Sequence, residues 1–412
     1  MTFIKNVHEI PDALNLDLFK AALSKSLSIY RHACGHLCQE APEVEGMSLW
    51  KIRITDSPVP VEIVEKDTPI LTDCVIQDDL TSFLPHPNSE VVNNDSPLLS
   101  FKLHISKQRT FIGVAWHHTL GDAATLLRFM NTLSRYYQGH DIDHGSLPSF
   151  KKHRFPTPSV DDFPRWLPYM SHLAHTYSST EIQDKYAEGN EVIIPIRAII
   201  RRSEAEILRG RVRRMLGPDS KLEISIQDCL TACFVVATNN LQTNTVLGVR
   251  RITNAAGFRQ IVTEWNEPNV AGNSIYIVPS ADFDPNRVQD IAYISATIRK
   301  SLMEARKPDF LASYMSVAGY QMALAAERKE TFFFGSDLTT ISVNSNAILN
   351  WQGADFGYPS ARFFTPGITR FYMRVFPANN YRESEALDLT FGAPASMRQA
   401  ILEKLGPEFS IM

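Results

Sequence analysis

Phe111-Ile112-Gly113-Val114-Ala115-Trp116-His117-His118-Thr119-Leu120-Gly121-Asp122 reads as a strand, a bend and the start of a helix. The apolar run from Phe111 to Trp116 has the length and composition of a buried strand. Beyond the bend, Leu126, Leu127, Met130 and Leu133 recur at three and four residues, the period of a helix face. His117 and His118 therefore stand where the strand gives way to the helix. Gly121 permits the tight bend. Asp122 falls at the helix start, where a carboxylate accepts orphan backbone N–H groups and suits the dipole. Successive side chains of an extended segment point to opposite faces, so at most one of the two histidines faces a given cleft. That also argues against a metal site built from the pair and Asp122, which would need convergent ligands.

Outward from this stretch, strands and helices intermix along the whole chain. Residues 3–10, 47–54, 59–64 and 98–106 read as strands, and residues 14–30 as a helix with Leu18, Ala22, Leu23, Ser26 and Leu27 on one side. Residues 68–97 are rich in Pro, Asn and Asp and read as loop. The helix after the histidines ends near Tyr137, at Gly139. Residues 141–190 are interrupted by Pro148, Pro156, Pro158, Pro164 and Pro168 but carry Phe155, Phe163, Trp166, Tyr169 and Tyr177. Those aromatics need a surface to pack on, so the segment reads as an ordered crossover. Later, residues 192–200, 245–253, 274–278, 340–343, 371–376 and 387–389 read as strands. Helices are expected at residues 225–238, 288–305, 313–327 and 395–405. Ser203-Glu204-Ala205-Glu206 has the form of a capping box opening a further helix that runs to Met215.

Length and composition agree with this mixture. At 412 residues the chain is too long for one ordinary core, and two α/β domains are expected. The division expected is residues 1–140, a crossover at 141–190, and residues 191–412. Hydrophobic content of 44% and charged content of 21% are those of a globular protein. A net charge of -4 gives no reason to propose nucleic acid as a partner. No apolar run approaches a membrane span, and the first residues lack the pattern of a signal peptide, so a cytoplasmic protein is expected. The five cysteines are sparse and not spaced as a zinc knuckle. They read as reduced, mostly buried small hydrophobes.

Three stretches in order carry a family resemblance. His117-His118-Thr119-Leu120-Gly121-Asp122 matches a His-His-x-x-x-Asp motif. Gly257-Phe258-Arg259 is followed, at the usual gap, by Gly272-Asn273. Ala354-Asp355-Phe356-Gly357-Tyr358-Pro359 is similar to an Asp-Phe-Gly-Trp-Gly motif, with Tyr358 and Pro359 in place of Trp and Gly. Together they resemble the BAHD acyltransferases, the acyl-CoA-dependent transferases of plant and fungal specialised metabolism. The last motif and a short N-terminus look more fungal than plant.

The resemblance implies two chloramphenicol-acetyltransferase-like domains, each a mixed sheet with helices, joined by a long crossover. A late strand is allowed to return to the N-terminal domain. It implies acyl transfer from acyl-CoA, with acetyl-CoA taken as the donor, to a hydroxyl or amine of a small metabolite. The family's channel between domains would admit the two substrates from opposite sides, with the histidine midway. His118 is then the general base: an imidazole titrating near neutrality takes the acceptor's proton during attack on the thioester, and the imidazolium protonates the leaving thiolate. No covalent intermediate is needed, so no serine or cysteine nucleophile is sought. No tightly bound cofactor, metal, nucleic acid or membrane partner is expected, and a monomer is.

Supporting residues follow from the same resemblance. Asp122 either orients His118 or, as the family implies, points away and pairs with Arg259; the second reading is adopted. Asp355 and Gly357 read as structural. Asn344-Ser345-Asn346 occupies the position of a family Thr-Ser-Trp run, so Asn346 or Asn344 is a candidate donor to the oxyanion, with a polar strand end as the plain alternative. Lys221 and Ser225 lie in the region resembling the family's CoA-contacting stretch. Arg201, Arg202, Arg209, Arg211, Arg213 and Arg214 read mainly as a solvated face. Two other functions share the scaffold: a condensation-type domain drawing on carrier-protein thioesters, and a binding protein without catalysis.

Overall fold

The structure is a computed structural model of the 412-residue chain. It describes residues 3–40, 49–65, 71–88, 90–151, 153–187, 193–239, 248–259, 261–262, 265, 267–335, 337, 339–367, 369–380, 385–406 and 409. In chain order the described strands are β1 (Phe3–Ile10), β2 (His36–Glu40), β3 (Leu49–Arg53), β4 (Val61–Glu65), β5 (Ile76–Gln77), β6 (Leu99–Ile105), β7 (Thr110–His117) and β8 (Thr176–Tyr177). They continue with β9 (Ile193–Arg201), β10 (Arg251–Gly257), β11 (Ile275–Pro279), β12 (Thr331–Phe332), β13 (Thr340–Ser345), β14 (Arg362–Pro366), β15 (Tyr372–Pro377) and β16 (Ala386–Pro394). The described helices are α1 (Leu16–Ile29), α2 (Ala123–Tyr137), α3 (Asp162–Trp166), α4 (Ser179–Ala187), α5 (Arg202–Leu216), α6 (Ile226–Asn239), α7 (Ile291–Ala305), α8 (Pro308–Glu327) and α9 (Ala395–Leu405).

The chain forms two units. The first comprises residues 1–153, 262–274 and 349–367, and the second the remainder. In the first unit six strands form a mixed sheet in the order β4-β6-β7-β1-β14-β5. Strand β7 lies in its interior, antiparallel to both β1 and β6, and all eight of its residues are buried. Helices α1 and α2 bring Phe19 against Phe101 and Phe129 against Trp116, at ring-centroid distances of 5.7 and 5.4 Å. Burying each of these phenyl rings stabilises the unit by roughly 1.5–3 kcal/mol. Gly113, on β7, lets a short turn at Thr81–Phe83 cross the strand. A Cβ there would lie 1.9 Å from the carbonyl oxygen of Phe83.

Strand β14 enters this sheet from far along the chain, between β1 and β5. An ion-pair cluster secures it: Arg362 donates to Glu9 at 2.6 Å and to Asp73 at 2.8 Å, and Glu9 also receives Arg109 at 3.2 Å. Glu9 is nearly fully buried, so losing Arg362 would leave one of its two carboxylate oxygens without its charged partner, with Arg109 alone compensating the charge.

The second unit is built on the sheet β11-β10-β13-β15-β16-β9. One face carries Ile196, Ala198, Ile341, Val343, Met373, Val375, Leu389 and Phe391, in one apolar core with residues of α5, α6, α7 and α9. This alternation along each strand puts the apolar side chains on the helix-covered face.

Several elements differ from their sequence readings. The start of α5 lies two residues earlier than expected, and only the glutamate half of a capping box forms. Glu204, rather than Glu206, folds back, accepting from the Arg201 N–H at 2.9 Å, so α5 begins at Arg202. Strand β10 starts at Arg251 and runs on to Gly257, because its partner β11 pairs with residues 253–257. Strand β16 is nine residues long rather than three, since β9 pairs along all of it. Helix α8 starts five residues early, with Pro308 in its first turn, where the missing N–H costs nothing. Strand β14 has no counterpart among the strands expected from sequence. Residues 47–48, 68–70, 188–190, 192 and 245–247, to which those readings extend, lie outside the described residues.

Candidate active site

Strand β7 delivers the two histidines to a single turn of 3-10 helix, His118–Leu120, and α2 leaves from it. His117 ends the strand with its ring fully buried. Its Nδ1 lies 2.8 Å from Thr119 Oγ1 and accepts from the Thr119 N–H at 3.3 Å, while Phe3 packs edge-on at 4.8 Å. Burial first, and the neighbouring His118 with it, push its pKa down to about 4. A ring so enclosed is a neutral part of the framework. His118, one residue on, is only partly buried. Burial lowers its pKa below the ordinary histidine value, opposed by a hydrogen bond to Asn273 and by the charge of Asp122.

Three side-chain N–H donors hold the backbone of the turn. Asn273 Nδ2 donates to the His118 carbonyl at 2.5 Å, His32 Nε2 contacts the Leu120 carbonyl at 3.1 Å, and Trp116 Nε1 donates to the Gly121 carbonyl at 3.0 Å. Gly121 has φ 148°, and a Cβ there would meet Thr125 Cβ at 2.6 Å. Asp122 caps α2, its Oδ1 accepting from the Thr125 N–H at 3.1 Å. Its Oδ2 accepts from the Ser274 N–H at 2.9 Å, and Thr125 Oγ1 donates to the Gly272 carbonyl at 3.0 Å. The Gly272-Asn273-Ser274 segment is thus stitched to the histidine turn by backbone and side-chain bonds. Gly121→Ala should displace the turn and destabilise the fold by about 1–3 kcal/mol, the cost of forcing extra atoms into a packed site. Urea denaturation would check this, and an unchanged midpoint would count against it.

The Asp-Phe-Gly stretch sits at the opposite end of α2, a helix of fifteen residues and so about 22 Å long. Asp355 Oδ1 accepts from the Gly357 N–H at 2.9 Å and from Gln138 Nε2 at 3.3 Å. The Phe356 N–H donates to Ser134 Oγ at 2.8 Å. Phe356 and Gly357 take φ values of 53° and 90°, which turn the Phe356 ring inward against Phe19 and Tyr137. Asp355 and Gly357 therefore shape a turn that docks on the C-terminal end of α2.

The remaining candidates belong to the second unit. Arg259 follows β10, two residues past its last strand residue. Asn344 lies on β13 and Asn346 just after it. Asn346 Nδ2 donates to Asn344 Oδ1 at 3.0 Å, and Asn344 Nδ2 donates to Tyr372 Oη at 3.1 Å. Each amide keeps a second N–H beyond these bonds. Ser225 forms a capping box at the start of α6: its N–H and hydroxyl both donate to Asp228 Oδ2, at 2.6 and 2.8 Å. Asp228 is fully buried and paired with Arg299, whose Nε donates at 2.7 Å. Lys221 is exposed, beside a cavity of about 390 Å³ lined by Arg213, Arg214, Gly217, Ser220, Leu222 and Glu223.

Sequence reasoning did not single out Asn273, His32 or Trp116. The Gly-Asn pair at a fixed gap after Arg259 was the available signal for Asn273. Nothing in the sequence ties His32 to a carbonyl 88 residues away. Among the described residues there is no cluster of three or more His, Cys, Asp or Glu that would hold a metal ion, and no helix is long and apolar enough to cross a membrane.

The fold these elements make is the one expected of a BAHD-type acyltransferase. F. graminearum TRI101, solved with ethyl coenzyme A, matches at a TM-score of 0.69 with 12% identity, covering 98% of this chain and 93% of that one. Vinorine synthase matches at 0.64 with 15% identity, covering 98% and 90%. VibH, a condensation enzyme of nonribosomal peptide synthesis, matches at 0.54 with 11% identity, covering 99% and 90%. At such identities the likeness is one of fold. No protein-family model and no curated protein matches the sequence.

Proposed function

We propose that the chain is an acyl-CoA-dependent acyltransferase that moves an acyl group, acetyl in the first instance, to a hydroxyl or amine of a small metabolite. The observation that carries this reading is His118: a partly accessible imidazole with a lowered pKa, on a turn where side-chain donors hold the carbonyls of His118, Leu120 and the following Gly121. Such a ring is neutral at physiological pH and fixed in place, as a general base must be. The shared fold with TRI101, crystallised with coenzyme A, supports acyl-CoA as the donor.

In this reading His118 takes the proton of the acceptor O–H or N–H as that atom bonds to the thioester carbonyl carbon. The tetrahedral intermediate collapses with loss of the C–S bond, and the imidazolium returns the proton to the CoA sulfur. Asn346 or Asn344 would donate the remaining amide N–H to the oxyanion. Lys221 would offer charge to CoA phosphates, and Ser225, already capping α6, would act through its backbone placement. Asp122, Arg259, Asp355 and Gly357 are assigned to support of the site.

The test is release of CoA thiol from acetyl-CoA with a panel of alcohols and amines, with mass spectrometry of products. Activity only with carrier-bound thioesters would favour the condensation-type reading, for which the VibH likeness speaks. The pH profile is a further prediction. Since burial holds the His118 pKa below 6.5, kcat should be flat through neutrality and fall only as pH drops through that lowered value. An acid limb centred above 6.5 would contradict it.

A further inference from the structure

We propose that Asn273 is a positioning residue that fixes the tautomer of His118, keeping the proton on Nδ1 and the lone pair on Nε2. The His118 carbonyl oxygen can only accept, so the Asn273 side-chain atom 2.5 Å from it must be Nδ2. That settles which way the amide faces, and places Oδ1 against His118 Nδ1 at 3.2 Å. An amide oxygen can only accept, so Nδ1 must carry the hydrogen. In a neutral ring one nitrogen donates and the other accepts, which leaves Nε2 as the basic atom.

Asn273 is solvent-exposed, so the bond to Nδ1 alone would compete with water. The second bond, to the carbonyl of the same residue, makes the contact two-point and holds the amide in one orientation. The rest of its segment is anchored too, Gly272 and Ser274 being bonded to Thr125 and Asp122. The charge of Asp122 at the helix start acts on His118, and His118 in turn helps to lower the pKa of His117 on the strand before it. His117 stays neutral in its buried site, and the Asp122 carboxylate accepts from Thr125 and Ser274. The proposal rests on His118 as the general base only in what the tautomer is for, not in the tautomer itself.

The test is ¹⁵N NMR of the histidine rings, with the His118 signals identified by their absence in His118→Gln. The neutral wild-type ring should show a protonated Nδ1 and an unprotonated Nε2. Asn273→Leu should move the proton to Nε2 and lower kcat on the order of 10²-fold, near the lower end of what general base catalysis contributes. KM for acetyl-CoA should hold, because only the transition state uses the lone pair. Asn273→Asp should keep the proton on Nδ1 and recover part of kcat.

The two variants should shift the acid limb in opposite directions. Loss of the acceptor lowers the His118 pKa, and a carboxylate in its place raises it. A structural role alone would not separate them. A wild-type ring with its proton on Nε2, or two variants shifting the same way, would overturn the assignment. Should Asn273→Leu fail to fold, the wild-type spectrum and Asn273→Asp still decide it. A wild type with the expected tautomer that transfers no acyl group would instead remove the acyltransferase reading alone.

Discussion

His118→Ala should remove acyl transfer almost entirely, lowering kcat by roughly 10²–10⁴-fold, the contribution of a positioned general base. The fold should survive it. The ring is partly exposed, and the backbone bonds made by His32 and Trp116 do not depend on it. CoA-release kinetics give the first quantity and circular-dichroism melting the second. Retained activity with an unchanged melt would falsify the assignment of the base. Collapse of the fold would show instead that the ring is a structural element.

Asp122→Asn should behave in the opposite way, losing stability first. The carboxylate accepts from two backbone N–H groups, those of Thr125 and Ser274, and is almost completely buried. An asparagine can accept with one atom only, so its amide N–H₂ would face one of those donors. The cost expected is about 2–3 kcal/mol, from one charged hydrogen bond lost and a buried N–H left unsatisfied. Urea denaturation would measure it. The Gly272-Asn273-Ser274 segment should loosen with it, so activity should fall with stability. A variant of wild-type stability whose activity loss equals that of His118→Ala would show that Asp122 acts on the chemistry instead.

Much of this was legible in the sequence because it is local. The strand–turn–helix around His118 follows from an apolar run, a glycine and a capping carboxylate within a dozen residues. The α2 face and the helices at 226–239 and 395–405 follow from periodicity. What escaped is what depends on distant partners. Arg362-Phe363-Phe364-Thr365-Pro366 is short and ends in proline, and only its pairing with β1 makes it a strand. The length of β16 is set by β9, and the early start of α5 by which glutamate reaches back. At the site, His118, Asp122 and the Gly272-Asn273 pair are joined by hydrogen bonds spanning about 150 positions, which no local pattern encodes. Ser225, singled out as a candidate for CoA, also caps α6, a role set by Asp228 three residues on.

The late arrival of β14 also constrains how the protein can be made. Until residue 366 has left the ribosome, β1 presents an unpaired edge where its neighbour belongs. At roughly 5–20 residues per second that interval, counted from the completion of β7, lasts some tens of seconds. Nascent chains should need chaperone cover through it. Fragments truncated before residue 360 should aggregate rather than yield a free amino-terminal half, whereas a fragment supplied with residues 349–367 as a separate peptide should be rescued.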